Sequence, residues 1–146
     1  MNARTTWMTL LLALLVAGTF GACSNSDKTK KFAPQETITT NAEGAETVYA
    51  TDLDGDGDAD VLSASFDDDK IAWYENQGGG SFGPQQVITT NADGPGEVFA
   101  TDLDGDGDAD VLSASFDDDK IAWYENQGGG SFGPQQVINT KADGAK

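Results

Sequence analysis

Along the chain, short apolar runs alternate with tight polar clusters, and the spacing inside each run is two. Val61 to Phe66 sets Leu62, Ala64 and Phe66 on one side and Val61, Ser63 and Ser65 on the other. That alternation predicts a β-strand with one face toward a core. Thr47 to Ala50 predicts a strand before it, and Ile71-Ala72-Trp73-Tyr74-Glu75 a third, rich in β-formers on both faces. Gln86-Val87-Ile88 supplies a fourth. Asp67-Asp68-Asp69-Lys70 and Gln77-Gly78-Gly79-Gly80-Ser81 read as turns. No segment keeps a helical period of adequate length.

The pattern then returns. Ala50 to Ile88 recurs without change at Ala100 to Ile138, an offset of fifty residues. At the edges Val48-Tyr49 becomes Val98-Phe99, and Thr89 becomes Asn139. Four strands per unit at such a period predict an all-β chain of tandem four-stranded antiparallel β-propeller blades, an incomplete propeller of two units. The units run 46–95 and 96–146, and a leading strand at 32–45, matching the end of a unit, precedes them. A stack of two leaves apolar faces open at both ends. The ending at Ala145-Lys146, where another Val-Tyr-Ala-Thr-Asp is expected, favours a fragment of a longer product. Further repeats or a homo-oligomer would close the ring.

Residues 1–23 have a different character. Arg4 is followed by the apolar run Leu10 to Ala17, then small residues and Cys23. This is an export signal, too short for a comfortable membrane span. Phe20-Gly21-Ala22-Cys23 resembles a bacterial lipoprotein signal, which implies lipidation of Cys23. A lone Cys has no disulfide partner, and plain secretion with an incidental Cys is the other reading. Residues 24–31 are polar and lysine-rich, a flexible tether. The expected location is the cell surface or outer membrane by lipid anchor, otherwise secreted or periplasmic.

The polar cluster between the first two strands carries the chemistry. Thr51-Asp52-Leu53-Asp54-Gly55-Asp56-Gly57-Asp58-Ala59-Asp60 crowds five carboxylates into nine positions, and residues 101 to 110 repeat it. Two such charges about 4 Å apart repel by roughly 4 kcal/mol at an effective dielectric near 20. A cation between them removes that repulsion. Calcium takes six to eight oxygens and tolerates irregular geometry. Alternation sends Asp52, Asp54 and Asp56 inward, with the backbone carbonyl of Asp58 and then Asp60 completing the set. Asp102, Asp104, Asp106, the carbonyl of Asp108, and Asp110 form the second site. Gly55 and Gly57 permit the positive φ that such winding needs. An EF-hand requires an acidic residue at position twelve and flanking helices; Ser63 stands there, between strands. Zinc and copper lack ligands, since the chain has no His and one Cys. Magnesium prefers a stricter octahedron. The competing reading is a solvated acidic turn.

The acidic run, followed by Val61-Leu62, Trp73-Tyr74-Glu75-Asn76 and Ser81-Phe82-Gly83, twice in register, resembles the FG-GAP/VCBS repeat family over about residues 33–146. The resemblance implies a calcium-binding β-propeller used in extracellular recognition, with the ligand commonly on the rim away from the metals. The calcium loop and the glycine turn share one rim. The opposite rim carries Asp67, Asp68, Asp69, Asp117, Asp118 and Asp119, and the inter-unit loop Asn91 to Gly94. Those triplets are ligand-site candidates or simply solvated turns. Trp73, Tyr74, Trp123 and Tyr124 are expected in the core.

A net charge of −17 argues against nucleic acid, whose phosphates need Lys and Arg clusters. No nucleophile–base pair or phosphate-cradling loop is present. The expectation is a calcium-stabilised, non-catalytic extracellular recognition or adhesion module for a protein or glycan. The alternative is an accessory or structural propeller segment of a larger secreted polysaccharide-acting enzyme.

Overall fold

A computed structural model describes residues 34–143. The signal segment with Cys23, the tether 24–31 and the start of the expected leading strand lie outside the described residues. Within them, eight strands follow in order: β1 (Ala45–Thr51), β2 (Asp60–Ser65), β3 (Lys70–Tyr74), β4 (Gln86–Thr89), β5 (Pro95–Thr101), β6 (Asp110–Ser115), β7 (Lys120–Tyr124) and β8 (Gln136–Asn139). They form two open four-stranded antiparallel sheets, β1-β2-β3-β4 and β5-β6-β7-β8. There is no helix among the described residues. The fold is all-β, with each repeat building one propeller-type blade.

Strand ends differ from the sequence expectation because backbone pairing extends beyond the apolar runs. Thr51 pairs with Asp60 at the mouth of the acidic loop, so β1 continues past Ala50 and β2 begins before Val61. Residues 34–44 hold no strand, unlike the leading strand expected over 32–45. The counterpart of Glu36 to Thr39 is β4, which is a strand because it pairs with β3. Among the described residues, no strand precedes Glu36 to offer that pairing.

Register assigns side chains to faces. Tyr49 lies opposite Leu62, Leu62 opposite Trp73, and Ala64 opposite Ile71, so these residues share one face of the first sheet. Val48, Ala50 and Val61 belong to the other face. The first face packs against the second sheet. Leu53, Leu62, Ala64, Ile71 and Trp73 form one core with Val98, Ala100, Val111, Ala122 and Tyr124, closed by Ala92 from the connecting loop. Blade one therefore meets blade two through opposite faces of the same design.

Because residues 50–88 and 100–138 are identical, differences in burial between equivalent positions report only the neighbours. Leu53 is 2% exposed and Leu103 is 45% exposed. Val98 is 6% exposed and Val48 is 69% exposed. Trp73 is buried beneath the glycine turn of the second blade; a Cβ on Gly130 would collide with its ring. Only Gly fits at that close approach, and its φ of 70° is left-handed as well.

Candidate metal centre

Each acidic loop closes the hairpin between a blade's first strand and its second, β1–β2 or β5–β6. The loop is wound onto its own carboxylates. Both oxygens of Asp52 accept backbone N–H groups, from Gly55 at 2.7 Å and Gly57 at 3.0 Å. Asp56 N–H donates to Asp54 Oδ1 at 3.1 Å, and Asp58 N–H to Asp56 Oδ1 at 2.8 Å. The turn needs left-handed backbone at Gly55 (φ 84°) and Gly57 (φ 95°), where a side chain would be strained. Gly105, Asp106, Gly107 and Asp108 repeat the four bonds on Asp102, Asp104 and Asp106.

This winding brings Asp52, Asp54 and Asp56 together, with one carboxylate oxygen from each lying within 4.8 Å of the others. Asp102, Asp104 and Asp106 form the matching group. Burial is the largest cause that pushes the Asp54 carboxyl above the ordinary aspartate range. The charges of Asp60, Asp56 and Asp52 add to it, against the opposing pull of the Asp56 N–H. The donor set is made only of hard oxygens, which suits a hard divalent cation and not a thiophilic one.

Asp60 and Asp110 stand apart from these groups. Both are fully buried. Asp60 Oδ2 accepts the Leu53 N–H and Oδ1 accepts the Asn76 N–H, each at 2.8 Å. Asp110 holds Leu103 and Asn126 in the same way at 3.0 and 2.8 Å. These carboxylates brace the loop against the sheet, a role the alternating spacing of aspartates does not reveal.

A second unanticipated part is Asn126, which is fully buried. Its side-chain amide donates to Ala109 O at 3.0 Å and, across the blades, to Leu53 O at 2.7 Å. The first acidic loop is thus stapled from the second blade at the residue between two of its aspartates. Asn76 makes the bond to Ala59 O at 2.9 Å within its own blade. The Trp-Tyr-Glu-Asn run contains the signal, but sequence alone does not show where the amide reaches.

The aspartate turns on the other rim are engaged within the protein. Asp68 pairs with Lys70 at 2.6 Å, and Asp118 pairs with Lys120. Asp69 has left-handed backbone (φ 54°), and its Oδ1 accepts the Gly94 N–H at 3.0 Å. Asp67 N–H donates to Glu43 O and Asp117 N–H to Asp93 O, each at 3.2 Å. Asp119 O accepts the Ala142 N–H at 2.9 Å. Beside these turns lies an open cleft of about 490 Å³, lined by Glu46, Thr47, Phe66, Gly96, Glu97 and Phe116. Trp73, Tyr74 and Tyr124 are buried, and Trp123, facing the open side of the second sheet, is half-buried.

The sequence matches the model of the FG-GAP-like repeat family at residues 52–113 and 102–145. The chain belongs to the FG-GAP-like repeat family. No curated protein matches it at a significant level. FG-GAP-like repeats often bind calcium and are typical of extracellular or secreted proteins. The two family matches begin at Asp52 and Asp102, the first aspartates of the two loops.

Proposed function

We propose that this FG-GAP-like chain is an exported, non-catalytic recognition module whose two blades are stabilised by calcium. The observation that carries the reading is the pair of wound loops, each converging three carboxylates to within 4.8 Å. Asp52, Asp54 and Asp56 would hold one ion and Asp102, Asp104 and Asp106 the other, with the carbonyls of Asp58 and Asp108 in support. Calcium would supply charge neutralisation and would pin β1 to β2 and β5 to β6. Asp60 and Asp110 act as braces that keep the loop in shape. The partner is an extracellular protein or glycan. Its place is the rim opposite the metal loops, in the cleft between Phe66 and Phe116, because much of Asp67 to Asp69 and Asp117 to Asp119 is spent on internal contacts.

Calcium titration tests the metal. Calorimetry should give two sites, and Asp54→Asn with Asp56→Asn should remove one. At ten times the dissociation constant each site adds about 1.4 kcal/mol, so both together raise Tm by roughly 10 °C over the chain in EDTA. Absence of both heat and melting shift would remove calcium from the reading. Recognition is tested on a glycan array with the wild-type and Phe116→Ser chains: binding that needs Phe116 supports the cleft, and binding indifferent to it places the ligand elsewhere.

A further inference from the structure

We infer that two copies of this chain dock head to tail, the open face of the second blade of one copy against the open face of the first blade of the other. The contact between the blades inside the chain is its template. That contact joins the Leu53 and Trp73 face of one blade to the Val98 and Ala100 face of the next. The second blade carries the first of these faces again, uncovered, with Leu103 and Trp123 in place of Leu53 and Trp73. The first blade carries its complement, exposed at Val48 and Ala50, the counterparts of Val98 and Ala100, while Ala72 and Tyr74 on the same face are already buried. Sequence identity over 50–88 and 100–138, with Val at both 48 and 98, makes the two open faces close copies of the two joined ones.

The polar and steric parts of the join are repeated as well. Asn76 is the counterpart of Asn126, and the Leu103 carbonyl is the counterpart of the Leu53 carbonyl that Asn126 holds. Gly80 stands where Gly130 admits Trp73, with a left-handed φ of 85° and Glu36 Oε2 3.9 Å from its Cβ position. Glu36 to Ile38 lie beside Gly80 to Phe82 at the edge of this face, and the outer strand of the second copy would displace them. A partner of any other kind would have to reproduce this complement; a second copy already has it. The contact is heterologous, so each added copy leaves one face free, and growth ends only if a ring closes. The net charge of −17 opposes association, which makes salt and calcium the right conditions for observing it.

The test is the mass in solution by light scattering and native mass spectrometry, at physiological salt with calcium. The wild-type chain should exceed one chain in a concentration-dependent way. Val48→Lys and Leu103→Lys block opposite faces, so each alone should be monomeric and an equimolar mixture should give a one-to-one dimer. Ala50→Glu is a second block on the Val48 side, used if Val48→Lys changes the circular dichroism spectrum. A wild-type chain that stays monomeric at its highest soluble concentration overturns the proposal. So does association that survives in both variants, or a mixture that does not pair.

Discussion

Leu53→Ala and Leu103→Ala make the same change in two identical decapeptides, and the fold predicts different costs. Leu53 is 2% exposed and belongs to the core between the blades. Truncating such a leucine removes its transfer energy and leaves a cavity, about 2–5 kcal/mol. Leu103 is 45% exposed, so it has roughly half a side chain of apolar contact to lose and no sealed cavity to leave. Three carbons at about 0.8 kcal/mol each, half effective, give about 1 kcal/mol. The assay is urea unfolding in excess calcium, with a parallel series in EDTA, at protein concentrations low enough to keep the chain monomeric. With a slope of about 1.5 kcal/mol/M, Leu53→Ala should lower the midpoint by about 1–3 M and Leu103→Ala by less than 1 M. Equal shifts would refute the reasoning, because they would mean that the second blade does not cover Leu53 in solution.

Asp60→Ala should destabilise the calcium-free chain by about 3 kcal/mol, since one buried and one part-buried N–H group lose a charged acceptor. Asp54→Asn, in contrast, should leave the chain in EDTA as stable as wild type or more so, because the neutral amide relieves a carboxylate that its surroundings hold above its ordinary range; thermal melts in EDTA compare the two. Asn126→Ala should cost about 1–3 kcal/mol by leaving the Leu53 and Ala109 carbonyls without their donor, and Asn76→Ala, partly exposed and without the bond across the blades, should cost less by urea unfolding.

The strands and their order were legible because period-two alternation and glycine or aspartate turns are local features. The acidic loops were legible for a related reason. Alternating aspartates with interleaved glycines determine, within ten residues, which carboxylates can converge and where the backbone must turn left-handed. Asp60 shows where that logic stops. Counting by twos places it among the ligand candidates and does not show that its oxygens also accept the N–H groups of Leu53, seven residues away, and of Asn76, sixteen residues away. The aspartate turns show the same limit, since Asp69 is engaged by Gly94 of the connecting loop between the blades.

By itself, then, the sequence determined the all-β class, the repeat, the winding of the acidic loops and the membership of each strand face. Only the tertiary structure decided which copies of those faces are buried. Leu53 and Leu103 have the same neighbours along the chain and opposite environments in space. Burial depends on what packs against a face, and two identical segments cannot encode different neighbours; their position in the stack does.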